Sequence, residues 1–295
     1  MKFIFLSLFF LCCTNFVSAQ VVDTIEVYSP SMDKKIKNVI IFPPEYFQNT
    51  HQKYPVVYLL HGYNNRYDSW LKKTKPDLPK MTLLFPMILV CPDGEASWYW
   101  DSPINPKSKF ETYISKELID YINQHYRVID SSNKRAICGY SMGGHGALYL
   151  AFRHPNIFGA CGSMSGGVDI CPFPENWKIK EQLGSYQENH NRWEEYSVIN
   201  QLWRVQAFTD SNREVASNKG QAINYNLQKG QLAIIIDCGT EDYFWDVNEK
   251  LHQKMLYYHL SHEYIVRPGQ HNHAYWNKAI EYQLFFFDRF FHSSL

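Results

Sequence analysis

Gly139-Tyr140-Ser141-Met142-Gly143 is the only GxSxG stretch in this 295-residue chain, and it constrains the fold more than any other feature. The apolar run Arg135–Cys138 leads into it, and a helical pattern over Gly144–His154 leaves it before Pro155. A serine on a sharp strand-to-helix turn points its Oγ out of the sheet, and the flanking glycines permit the strained turn. Attack by that oxygen on a carbonyl creates negative charge. The Met142 amide, at the helix start, is placed to donate to it. The bland alternative, a glycine-rich turn with an incidental serine, does not account for the strand before and the helix after.

Other β-branched runs recur at Val56–Leu60, Met87–Val90, Leu232–Cys238 and Tyr264–Val266. Between them, Phe110, Ile114, Leu118, Tyr121 and Ile122 share one helical face, and Asp242–Leu260 and Trp276–Phe291 read similarly. This alternation predicts an α/β fold, a mostly parallel central sheet with helices on both faces. Residues Val168–Tyr225 break the rhythm with Pro172, Pro174, Gly184 and the aromatics Trp177, Tyr186, Trp193 and Trp203. They are expected to form an insertion over the active-site end of the sheet, not a second domain.

Residues Met1–Ala19 carry one Lys, an apolar run from Phe3 to Cys13, and Val17-Ser18-Ala19 before Gln20. Small residues at such an end suit a signal peptidase, so export to the periplasm or medium is expected, leaving one catalytic domain over residues 20–295. Cys12 or Cys13 fits a lipid-anchor site poorly, because Phe and Leu precede them. The run is short for a stable membrane span, and nothing later reaches that length. Five cysteines remain: Cys91, Cys138, Cys161, Cys171 and Cys238. Most lie in or beside strand-like runs and are expected as buried small hydrophobes. Cys161–Cys171 is the one pair close enough in sequence to suggest a disulfide. With 29 basic and 29 acidic residues, the chain lacks the cationic excess of a nucleic-acid binder. Its 45% hydrophobic content argues against disorder, and 16% aromatics is a high load for a core alone.

A serine nucleophile needs a base and an acid that orients it, following in the chain order Ser, Asp or Glu, His. The run Leu232–Asp237 is followed by Cys238-Gly239-Thr240-Glu241-Asp242. Asp242, on the turn leaving that strand, is the first choice, with Glu241 as the alternative. Gly269-Gln270-His271-Asn272-His273 follows the last strand, making His271 the candidate base. His273 is then placed to contact substrate. His271 and His273 could instead hold a metal, but no third ligand has suitable spacing. A second oxyanion donor is expected from the Tyr63 amide in Leu60-His61-Gly62-Tyr63, with His61 holding that loop. His145 and His252 read as surface or helix residues. This chemistry calls for no cofactor or metal.

His61-Gly62, Pro92-Asp93-Gly94 with Ser97-Trp98-Tyr99, the stretch from Gly139 to Leu148, Gly239 to Asp242, and Gly269-Gln270-His271 occur in that order. Together they resemble the putative-esterase family of α/β-hydrolases. That family includes S-formylglutathione hydrolase, feruloyl and acetylxylan esterases of carbohydrate esterase family 1, and mycolyltransferases. The resemblance runs from about Lys37 to Phe291. It implies the α/β-hydrolase fold, a triad of Ser141, Asp242 and His271, and an oxyanion hole from the Met142 and Tyr63 amides. One departure is His273, where many relatives carry Trp, which puts the shape of the substrate pocket in question.

Trp98, Tyr99 and Trp100 follow a strand whose carboxyl end should face the active site, so Trp98 and Trp100 could stack on a sugar or phenolic acyl group. Alternatively they pack beneath the insertion. Export combined with aromatic loops favours an acylated plant oligosaccharide as the ester substrate. S-formylglutathione or a generic short-chain ester, acyl transfer to an alcohol, and an inactive carbohydrate-binding homologue remain as alternatives.

Overall fold

The computed structural model describes residues 22–218 and 231–293; the expected leader over 1–19 and insertion residues 219–225 lie outside them. The strands are β1 (Val22–Ser29), β2 (Lys34–Ile41), β3 (Val56–Leu60), β4 (Ile88–Pro92), β5 (Arg135–Tyr140), β6 (Ala160–Met164), β7 (Ala233–Gly239) and β8 (Glu263–Arg267). They form one sheet in the order β1-β2-β4-β3-β5-β6-β7-β8. β1 and β2 pair antiparallel, as do β2 and β4, and every other pairing is parallel. The expectation of a mostly parallel sheet thus holds.

The helices used below are α1 (Leu78–Leu84), α2 (Leu118–His125), α3 (Met142–Arg153), α4 (Ile179–Leu183), α5 (His190–Tyr196), α6 (Leu202–Asn218), α7 (Trp245–Tyr257) and α8 (His273–His292). Strand side chains alternate between the two faces, which is why the sheet needs cover on both. Tyr58, Leu60, Val90 and Ile137 face a core shared with Leu118 of α2, Leu148 of α3 and Leu251 of α7. Val57, Leu59, Leu89 and Cys138 face the opposite core, against Ile280, Leu284 and Phe287 of α8. These apolar side chains are essentially inaccessible, and each fully buried Leu or Phe contributes roughly 1.5–3 kcal/mol.

Sequence periodicity passed over three strands for identifiable reasons. β6 reads Ala-Cys-Gly-Ser-Met, too small and polar to carry a β-branched signature. Its glycine is forced by packing: a Cβ on Gly162 would run into the Gln283 side chain of α8. β1 is the edge strand, largely exposed, with charged residues interrupting its apolar ones, and β2 opens on Lys34-Lys35-Ile36-Lys37, whose charges mask the buried end Asn38–Ile41.

One possibility raised by the cysteine spacing is removed here. All five described cysteines are free, so Cys161 and Cys171 form no disulfide. Cys161 is buried in β6, while Cys171 lies in the insertion with its sulfur 3.7 Å from Ser197 Oγ. The insertion itself supplies α4, α5 and α6. Its Ile179, Leu183 and Trp193 belong to the same core as Trp98 and Trp100.

Candidate active site

The turn from β5 into α3 places Ser141 at φ 57°, ψ −122°, a conformation that L-residues rarely adopt. Its amide is tied to the Met164 carbonyl of β6 at 2.9 Å. The turn is this tight because Gly143 has no side chain. A Cβ there would collide with the backbone carbonyl of Leu60, so α3 could not seat against β3. Met142, first in α3, has an amide with no acceptor inside its own helix.

His271 reaches this serine from the loop after β8. Its Nε2 is 2.9 Å from Ser141 Oγ, and its Nδ1 is 2.9 Å from both Asp242 Oδ1 and Oδ2. A carboxylate can only accept, so Nδ1 carries the proton and Nε2 is left to accept from the serine hydroxyl. Asp242 is buried, and its Oδ1 also accepts the Phe244 amide at 2.8 Å, which fixes the carboxylate on its turn. Glu241, the alternative acid, points to solvent, where its Oε2 accepts from Gln270 at 3.4 Å. The two loops are stitched together by Thr240 N–H to Arg267 O and Glu241 N–H to Gly269 O, both 3.0 Å. Beneath them, Arg267 and the Tyr275 hydroxyl both donate to the buried Asp237. Burial raises the Asp237 carboxyl, with these two donors opposing it. The Tyr275 ring packs against Gly269, two residues before His271.

The loop after β3 closes on the serine from the other side. An ideal Cβ on Gly62 would lie 2.8 Å from the Tyr140 ring and 3.2 Å from Ser141 Cβ, so only glycine permits this approach. His61 pins the loop. Its Nε2 accepts the Gly94 amide at 2.8 Å and its Nδ1 is 2.8 Å from Gly62 O, while the Tyr99 hydroxyl donates to His61 O at 3.0 Å. Tyr63 thereby lies at the rim of a cavity of about 250 Å³, together with Ser141, Trp177, Tyr243, His271 and His273. His273 opens α8; its Nδ1 is 2.9 Å from Thr74 Oγ1, and burial holds its pKa below the usual histidine value. Such an arrangement can generate an alkoxide at Ser141 Oγ and meet the developing oxyanion with backbone donors.

Trp98 and Trp100 are not where a substrate could stack on them. They are 1% and 0% exposed, their rings stacked on each other at 5.5 Å beneath the insertion. Trp98 and Tyr99 adopt φ of 58° and 63°, a turn that swings all three aromatics inward. His145, expected at the surface or on a helix, lies on α3 but is fully buried. It accepts from Trp100 Nε1 at 2.9 Å, which leaves Nδ1–H to donate to Gly167 O at 2.8 Å. The aromatics that do line the cavity include Trp177 from the insertion and Tyr243, together with Tyr63, Tyr140 and Trp276. Tyr243 follows Asp242 directly and could have been suspected from that adjacency. Trp177 is one of 8 tryptophans, and nothing local sets it apart.

Burial pushes His145 down to about 4, against the opposing hydrogen bond to Gly167. The unfolded chain, with a histidine near 6.5, therefore binds the extra proton first on acidification. Stability from this residue is complete above about pH 6.5 and falls as pH drops towards 4, by roughly 3 kcal/mol in all. Urea unfolding at pH 7 and pH 4.5 checks this: His145→Gln should show a shallower loss than the parent. Equal slopes in the two proteins would refute it.

A family model described as "Putative esterase" matches residues 29–287. The chain belongs to this esterase family. It is a carboxylic ester hydrolase on the α/β-hydrolase fold. An acetyl esterase of Caldicellulosiruptor saccharolyticus is 24% identical over 266 residues, covering 87% of this chain and 94% of its own. A ferulic acid esterase of known structure is 29% identical with a TM-score of 0.73, covering 92% of this chain and 98% of its own. An S-formylglutathione hydrolase from Agrobacterium tumefaciens superimposes with a TM-score of 0.70 at 19% identity, covering 93% of this chain and 97% of its own, a likeness of fold alone. Among the described residues of this esterase, no three His, Cys, Asp or Glu side chains are grouped to hold a metal ion, and no helix is long and apolar enough to cross a membrane.

Proposed function

We propose that this esterase is an exported serine hydrolase acting on acyl esters of plant polysaccharides, of the feruloyl or acetyl type. The observation that carries the reading is the unbroken run of 2.9 Å contacts from Asp242 through His271 to Ser141, opening on the cavity. His271 takes the Ser141 proton as Oγ attacks the ester carbonyl, and the Met142 and Tyr63 amides hold the oxyanion. His271 then protonates the departing alcohol. In the second half it removes a proton from water, which attacks the acyl-enzyme and frees the acid. Asp242 keeps the imidazole in the tautomer this requires.

The leader pattern at Met1–Ala19 supports export, and likeness to a ferulic acid esterase and an acetyl esterase supports the substrate class. The cavity lies below the ~300–1,000 Å³ typical of small-molecule pockets, so it suits an acyl group with its alcohol outside. The same small size favours a second reading, a general short-chain esterase. A panel of methyl ferulate, acetylated xylan, 4-nitrophenyl acetate and S-formylglutathione separates them. The proposal expects the highest kcat/KM on methyl ferulate or acetylated xylan. Preference for S-formylglutathione, or for 4-nitrophenyl acetate without action on either plant ester, would refute the plant-polysaccharide assignment.

A further inference from the structure

We infer that Trp177 determines which acyl group this site accepts, by presenting a fixed flat wall to a planar aromatic acyl chain. The inference rests on the proposed chemistry at Ser141. Trp177 comes from the insertion, far from the serine in sequence, yet lines the same cavity as Ser141 and His271. Its ring stacks on Tyr243 at 5.7 Å with 17° between the planes, and the Tyr243 ring stands 4.1 Å from that of His271. An unbroken series of rings thus runs from the insertion to the base. A flat conjugated acyl group bound against it gains offset or edge contacts that an acetyl group is too small to make.

Three observations distinguish Trp177 from a residue that merely fills space. First, it is only partly buried, its open surface facing the cavity, whereas Trp98, Trp100 and Trp193 are completely enclosed. Second, its backbone is strained: Trp177 and Lys178 have φ of 48° and 55°, a cost that persists only where surroundings hold it in place. Third, the holding group is visible. The buried Trp98 indole N–H donates to the Trp177 carbonyl at 3.1 Å, and the Phe173 and Phe244 rings flank the Trp177 ring at 5.3 and 5.0 Å. Trp98 is therefore a positioning residue. It touches no substrate but aims the residue that does.

The test compares methyl ferulate with methyl acetate, which share an alcohol and differ only in the acyl group. Trp177→Ala should lose at least about tenfold more kcat/KM on methyl ferulate than on methyl acetate, chiefly through KM. Trp177→Phe, which keeps a smaller ring, should recover part of the difference, and Trp98→Phe should shift selectivity in the same direction as Trp177→Ala. Equal losses on both esters, or no loss on methyl ferulate, would overturn the assignment to Trp177, and unchanged selectivity in Trp98→Phe would overturn its positioning role. Labelling of Ser141 by a fluorophosphonate, followed in every variant, keeps the two levels apart. Failure of the parent protein to label would remove the serine chemistry itself, whereas normal labelling with unchanged acyl selectivity removes only this inference.

Discussion

Replacing Ser141 with Ala is expected to lower kcat on any ester this enzyme turns over by a factor on the order of 10⁴–10⁶. The size follows from what the proposed mechanism would lose, the atom that attacks the ester carbonyl. Oγ is hydrogen-bonded to His271, and Ala tolerates the positive φ of the turn no worse than Ser does. The fold should therefore survive, with a melting temperature within a few degrees of the parent. The residual rate should come from the oxyanion donors acting on substrate and water alone. Turnover of methyl ferulate and fluorophosphonate labelling are the measurements. Retention of either at parental level would eliminate Ser141 as nucleophile.

The second large effect is expected from Asp242→Asn, about 10⁴-fold in kcat with KM little changed. The geometry explains why so small a change costs so much. Asp242 Oδ1 already accepts the Phe244 amide, so in the variant the carbonyl oxygen of Asn keeps that bond and its NH₂ turns towards His271. An NH₂ in the Oδ2 position can only donate, which sets it against an N–H at Nδ1 2.9 Å away and favours the tautomer with the ring proton on Nε2. Nε2 then faces the Ser141 hydroxyl without a free lone pair. Glu241→Gln is the control. Its carboxylate is exposed and bonded to Gln270, so its loss should change kcat less than threefold or so. A profound defect in Glu241→Gln with a mild one in Asp242→Asn would reverse the assignment.

Much of this architecture is legible in local sequence, because local backbone chemistry dictates it. Continuous apolar runs such as Val56–Leu60 and Ala233–Ile236 must be covered on both faces, which requires helices between them and favours parallel pairing. β6 escaped notice because its residues answer to a neighbour, Gln283 of α8, and not to strand propensity. Local sequence leaves the two tryptophans open between cavity and core for a similar reason. A position after β4 predicts nearness to the sheet's carboxyl end, but whether Trp98 and Trp100 face solvent or core depends on two residues with positive φ and on an insertion that begins about 70 residues later. No periodicity encodes that choice.

The sequence alone determines the strained serine turn, the order of the candidate acid and base behind it, and the sheet that presents them. Each follows from a few adjacent residues and from the geometry those residues allow. Only the tertiary structure decides that Asp242 and not Glu241 reaches His271, that Trp98 and Trp100 lie in the core, and that Trp177 and Tyr243 line the cavity beside Ser141. Those outcomes depend on which side chains from distant segments compete for the same volume, and close packing settles that competition only when the whole chain has folded.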